Sequence, residues 1–463
     1  MAETLNVINP ETGGVMETLV LKSKREMADM VESAAAAQKI WGATPIYERV
    51  ATLNRFAGLI DANNGRIAKL IATESGKPIA QASVETEDGA NILRGNAERA
   101  KHLYGDVYPA TGPGLENDVV FTRREPLGVV ACIAPFNFPM EITFHKISPA
   151  LAMGNTVLLK APSAAPLAIL GLADLAAEAG LPEDVLQIFV CDRRTVDESI
   201  VANPKVNAIS MTGSTASGVH LMEKGASTLK RMFLELGGND PFLIFDDANT
   251  DRAADEMITR MHNNGQICCA PKRFFVHRPI YDAVLEKVIG KCKMLPRGSA
   301  LEEASEITTL VTEDAAKKVE RQIAHCLEQG ATLKYGGVRD GARIEPTVLG
   351  DVTSAMDVAK DMEIFGPVIP MIAFDTEEEA IEMANASVYG LSAAILTEDL
   401  ARSFRVAARL EAGAVVQNGS CVYRHLDQPF GGVKMSGIGR EGVGVSPEEY
   451  SRVKTHVIKE VLR

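Results

Sequence analysis

Residues 263–273 read NNGQICCAPKR and set two thiols, Cys268 and Cys269, side by side in a chain with only seven cysteines. Adjacent cysteines bridge each other poorly, and neither stands at a metal-ligand spacing from another Cys or His. A lone thiol can instead add, as thiolate, to an electrophilic carbonyl, provided that a base takes its proton and donors hold the oxyanion. A second feature is ISMTGSTASG, residues 209–218, which reads as strand, glycine turn and helix start. The dinucleotide fingerprint G-x-G-x-x-G would need glycine where Thr215 stands, but Gly213 and Gly218 keep the outer positions. Amides at a helix N-terminus, with the Ser214 hydroxyl as a further donor, suit a pyrophosphate.

Bulk composition narrows the field around these groups. A length of 463 residues implies two or three domains, and 46% hydrophobic with 24% charged residues is a globular composition. A net charge of −13 speaks against a nucleic-acid partner, which needs clustered Lys and Arg. No apolar run is as long as a membrane span, and MAETLNVINP lacks the basic start and apolar core of a signal peptide. An odd number of scattered cysteines fits reduced thiols in a cytoplasm. The eight histidines form no HxH or HxxxH pair and no CxxC occurs, so no metal site is expected.

The elements that must position the thiol follow from periodicity. The first hundred residues read mainly as helices, with apolar three- and four-residue spacing in MADMVESAAAAQKIWG and RVATLNRFAGLIDANN. From about residue 118, apolar runs alternate with amphipathic helices: VVFTRREPLGVVACIAPF, NTVLLK, VLQIF and VNAISMT. A second such series follows Glu235, in PFLIF, RFFVH, VIPMIAF, SAAILT and GAVVQNG. The pattern predicts an α/β chain with two doubly wound, mainly parallel sheets joined near residues 235–240. The glycine-rich stretch 429–444 reads as an ordered loop.

PFNFP at 135–139, TGSTASG at 212–218, LELGG at 234–238, GQICCA at 265–270, EIFGP at 363–367 and PFGGVKMSGIGREG at 429–442 together resemble the aldehyde dehydrogenase superfamily, in its order and over nearly the whole chain. The resemblance implies a Rossmann-like cofactor domain (1–107 and 127–235), an α/β catalytic domain (236–435) and a β oligomerisation arm (108–126 and 445–463). It also implies NAD(P)-dependent oxidation of an aldehyde to its acid. The nucleophile is then Cys268, two positions after the Gln of GQ, with Cys269 a packed neighbour. Glu235 matches the general base, and a carboxylate between two leucines is costly to bury without such a role. Asn137 matches the side-chain amide that holds the oxyanion, beside the backbone N–H of Cys268.

Lys160 and Ser163 match the positions beside the adenine ribose, where NAD-preferring members of the family often carry Glu at the second. Serine can donate to a 2′-phosphate and Lys160 can neutralise it, so NADP is expected to be preferred and NAD possible. Glu363 and Phe365 match the pair that positions the nicotinamide ribose and ring. For the substrate, His145, on a helix opened by Pro139 and sharing a face with Ile142, and His262, just before the cysteine, stand where succinate-semialdehyde oxidising members commonly carry arginines. Arg424 with these histidines could hold a small anionic tail, or hydrogen-bond a short hydroxyaldehyde.

The extended run and the C-terminal segment resemble the arm through which family members pair, so a homodimer or homotetramer is expected. Two other readings stay open: a coenzyme A-acylating enzyme, in which the base glutamate is often absent, and a non-catalytic binding protein on the same scaffold. Glu235 weighs against the first, and intact Cys268, Glu235 and Asn137 together weigh against the second.

Overall fold

The structure is a computed structural model that describes residues 3–462; residues 1, 2 and 463, at the outer ends of the expected first domain and arm, lie outside the described residues. Strands Val129–Ile133 and Thr156–Lys160 are buried at every position but the last, as sequences apolar on both faces must be in a parallel sheet covered by helices. They belong to a six-stranded sheet in the order Gly437–Ile438, Arg231–Glu235, Val206–Thr212, Val129–Ile133, Thr156–Lys160, Leu186–Phe189. All its pairings are parallel except that of Gly437–Ile438, which lies antiparallel to Arg231–Glu235.

The second sheet has seven strands, in the order Thr332–Tyr335, Thr347–Val352, Val368–Phe374, Arg273–His277, Pro241–Ile244, Ser392–Leu396, Ala414–Gln417, and only its first pair is antiparallel. Five residues, 236–240, separate the last parallel strand of the first sheet from the first strand of the second. The carboxyl edge of one sheet therefore faces the amino edge of the other across a short link. A third sheet joins Val107–Tyr108, Val119–Pro126 and Ser451–Ile458, antiparallel in the register Ser451↔Pro126 to Ile458↔Val119.

Two local features differ from the periodicity reading. The chain opens with a β-hairpin, Thr4–Ile8 with Val15–Val20, whose mostly exposed strands carry little apolar periodicity. The stretch LAILGLADLAAEAG forms two short helices, Leu167–Leu170 and Leu172–Glu178, with Gly171 between them still in a helical conformation (φ −65°, ψ −11°). Among the described residues, no helix is long and apolar enough to cross a membrane.

Candidate active site

Strand order decides where the chemistry gathers. Val129–Ile133 lies between Val206–Thr212 and Thr156–Lys160, so chain order reverses on either side of it. In open α/β sheets the crevice beyond the carboxyl ends at such a reversal binds ligands. Asn137 follows Ile133, Gly213 and Ser214 follow Thr212, and Lys160 and Glu235 end their own strands. From the facing sheet, the loop holding Cys268 runs into Arg273–His277, and Glu363 and Phe365 run into Val368–Phe374.

The cysteine loop is shaped by three consecutive residues with positive φ: Asn263 (47°), Asn264 (53°) and Gly265 (75°). A Cβ on Gly265 would lie 2.2 Å from the Gly366 backbone, so only glycine permits this approach to EIFGP. Both asparagines are locked by hydrogen bonds. Asn264 Nδ2 donates to Thr308 Oγ1 (2.8 Å) and Asn263 Nδ2 donates to the Asn137 carbonyl (2.8 Å). Asn137 Nδ2 in turn donates to the Gln266 carbonyl at 3.0 Å, which holds the amide beside the cysteine loop.

Cys268, half-buried, and Glu235, buried, line one cavity of about 430 Å³, together with His145, His262 and Arg424. Contact with the Cys269 thiol, then burial, push the Cys268 thiol well above its ordinary range, while Lys272 pulls it down. The thiol thus rests protonated and needs a base. Cys269 packs among Ile267, Ala270, Leu391 and Phe430, and also sets the acidity of its neighbour. Glu235 is raised well above the usual carboxylate range by burial and then by Glu441, with Lys146 opposing. Its Oε2 is buried with no hydrogen-bond partner in the structure. A Cβ on Gly431 would lie 2.6 Å from Glu235 Oε1, which explains the glycine of PFGG at that point.

At the Rossmann-like edge, Ser214 caps the helix Thr215–Gly225, its hydroxyl accepting from Ser217 N–H (3.3 Å), so it is engaged locally as well as facing the crevice edge. Lys160 Nζ lies 3.5 Å from Ser163 Oγ, so the cation and hydroxyl expected to act together are adjacent. The Glu363 carboxylate accepts from Gly238 N–H (3.3 Å) and lies 3.5 Å from Lys272 Nζ, and Phe365 meets Phe136 edge-on at 6.1 Å. A helix N-terminus, a lysine–serine pair and a fixed carboxylate beside an aromatic ring form a donor and acceptor set that fits a nicotinamide dinucleotide.

On the wall of the same cavity, the Arg424 guanidinium lies 3.8 Å above the Phe430 ring and 3.2 Å from His145 Nε2. Burial first, then Arg424 and Lys146, push His145 well below its ordinary range, so the ring is neutral and accepts from the arginine. His145 therefore orients Arg424 and adds no positive charge of its own. His262 is an exposed lining residue.

Several supporting residues were invisible to motif reasoning. Lys146, buried, is ion-paired with Glu441, and Lys272 donates to the Cys268 carbonyl while reaching Glu363. Buried Arg260 donates to the carbonyls of Gly265 (2.9 Å) and Gly366 (2.7 Å), tying the cysteine loop to EIFGP. Glu85, ion-paired with Lys77, accepts from Met140 N–H (2.7 Å) and so caps the helix Pro139–Ala152 that follows Asn137. Lys146–Glu441, Lys272–Glu363, Arg260–Gly366 and Glu85–Met140 all join segments far apart in the chain, so no local spacing signals them.

A model of the aldehyde dehydrogenase family matches residues 1–456. The chain is 38% identical to a glutarate-semialdehyde dehydrogenase of Pseudomonas putida, covering 98% of this chain and 94% of that one. It is 37% identical to a mitochondrial succinate-semialdehyde dehydrogenase of Oryza sativa, covering 98% and 86%. Among solved structures, a glyceraldehyde-3-phosphate dehydrogenase of Methanocaldococcus jannaschii complexed with NADP superposes with a TM-score of 0.94 at 35% identity, covering 99% of each chain.

Proposed function

This chain belongs to the aldehyde dehydrogenase family, and on that premise we propose that it oxidises a short aliphatic aldehyde with a polar tail to its acid, using NADP in preference to NAD. Succinate semialdehyde and its near analogues are the first candidates, since the similar enzymes named above act on aldehydes bearing a carboxylate or phosphate. The observation that carries the reading is the single cavity shared by Cys268, Glu235 and Arg424, with Asn137 held against the cysteine loop.

Cys268 Sγ adds to the aldehyde carbon after losing its proton to Glu235 or to water in the cavity. The resulting oxyanion accepts from Asn137 Nδ2 and the Cys268 backbone N–H. A nicotinamide, when bound, would supply the hydride acceptor, leaving Cys268 to carry the acyl group as a thioester. Glu235 then removes a proton from water, which adds to the thioester carbon; the acid leaves and the thiol is restored. Glu235, a buried carboxylate with one oxygen unpartnered, favours water over coenzyme A as the acceptor of the acyl group.

Gly213, Ser214, Lys160, Ser163, Glu363 and Phe365 would hold the cofactor, and the arm would join copies into a homodimer or homotetramer. The seven free thiols suit a reducing compartment, the cytoplasm. The test is a panel of short aldehydes followed through the absorbance of the reduced cofactor. Cys268→Ala is expected to lower kcat/KM at least about a thousandfold. Arg424→Ala should weaken succinate semialdehyde about ten- to hundredfold more than butanal, as loss of a charged hydrogen bond does. No turnover of any aldehyde would overturn the reading.

A further inference from the structure

Arg424 is not a free anion clamp. Its Nε lies 3.9 Å from Glu141 Oε1, an ion-pair distance too long for a hydrogen bond, and its Nε and Nη1 are buried with no hydrogen-bond partner. Glu141 sits on the first turn of the helix Pro139–Ala152, on the wall of the same cavity, with Glu85 and Asp88 from the helix Ile79–Ala100 also lining it. Glu85 is already satisfied by Lys77 and by the helix N–H groups. The uncompensated charges on this wall are therefore Arg424, Glu141 and Asp88, and an anionic tail arriving there meets more negative than positive charge.

We propose that Glu141 is the specificity-determining residue of the tail site: it takes a proton from solvent when a carboxylate tail settles on Arg424, and keeps its charge when an uncharged, hydroxylated tail does. The proposal rests on the reading of Arg424 as the tail-binding residue. Nothing is oxidised in the step; one proton passes from water to the Glu141 carboxyl as one anionic tail enters, so the local charge is conserved.

The groups that face Glu141 point the same way. Burial raises its carboxyl to about 7; Arg424 lowers it, Glu85 and Asp88 raise it, and Lys77 lowers it again. His145, one turn on along the same helix, is neutral and Lys146 is committed to Glu441, so neither offers Glu141 a replacement cation. An anion on Arg424 removes the chief interaction that keeps Glu141 charged and adds a repulsive one, so binding favours the protonated form. Above the unliganded value, each bound anion must bring a proton, and affinity for anions falls as pH rises. An uncharged diol or hydroxyl, by contrast, can donate to Glu141 and accept from Arg424 without any change of charge.

Succinate as a competitive inhibitor of butanal oxidation reads this site, and the comparison with Glu141→Gln separates it from the titration of Cys268 and Glu235, which both enzymes share. Between about pH 6.5 and about pH 8.5 the wild-type inhibition constant should rise about tenfold. In Glu141→Gln it should stay within about twofold over that range and be about tenfold lower than wild type at the alkaline end. Should that variant fold poorly, calorimetry of succinate binding to the wild-type NADP complex in two buffers of different ionisation heat reads the same event, as proton uptake near pH 8. A pH-independent inhibition constant, or binding without proton uptake, overturns the role of Glu141 and leaves the tail site standing. Failure of succinate to inhibit at any pH, or inhibition untouched by Arg424→Ala, brings down the tail-site reading and this proposal with it.

Discussion

Glu235 carries the least favourable charge in the site. It is buried, one oxygen has no partner, and Glu441 stands close enough to raise it further, while Lys146 divides its attraction between the two carboxylates. A base works only when deprotonated, so a raised value means that activity is lost earlier as pH falls than for an ordinary carboxylate. Glu441→Gln removes the like charge and leaves Lys146 to serve Glu235. The acid limb of the kcat–pH profile for butanal is therefore expected to move down by about one pH unit. A limb that stays in place would show that Glu441 does not set the basicity of Glu235. Of this arrangement, the thiol doublet and the carboxylate between leucines were visible as local patterns, but the choice of Cys268 and the role expected of Glu235 came from the likeness of GQICCA and LELGG to the family's motifs. Lys146 and Glu441 were not visible, because a buried ion pair between residues 295 apart leaves no mark on either neighbourhood.

At the scale of elements, the alternation of apolar runs and helices foretold both parallel sheets, since strands covered on two faces must be apolar throughout. The exposed hairpin Thr4–Ile8 with Val15–Val20 obeys no such rule and went unread. The kink at Asn263, Asn264 and Gly265 was equally silent: the letters NNG are common in turns, and only Gly366 lying against Gly265 makes the conformation obligatory. The strand end Lys160 was readable, and the fold adds that Ser163 returns to within 3.5 Å of its amine. That turn makes cofactor choice a property of one strand end. Ser163→Glu would put a carboxylate where a 2′-phosphate should sit and would also engage Lys160. The NADP-to-NAD ratio of kcat/KM is expected to fall about tenfold or more. A wild type that already favours NAD strongly would contradict the role given to Ser163.

At the scale of the whole molecule, the arm presents an edge that the chain itself does not cover. Ser451–Ile458 is an edge strand eight residues long, with Val453 at 58% and Val457 at 56% exposure on one face of it. Such an edge leaves a row of unpaired backbone groups beside apolar side chains, a surface that natural proteins cover or charge. The flanking Arg452 and Lys454 are both turned to Glu125 within the chain, so they leave the valine face uncharged. In the proposed homo-oligomer, a second copy of the same edge would be the self-complementary cover, placed by a two-fold axis. Replacing both valines in Val453→Asp/Val457→Asp sets like charges against each other across that axis without touching the cavity. Light scattering after size exclusion should then read the mass of one chain where the wild type reads two or four, with butanal turnover per chain retained and thermal stability reduced by the lost interface. An unchanged assembly would assign the contact to another surface and leave the edge strand unexplained.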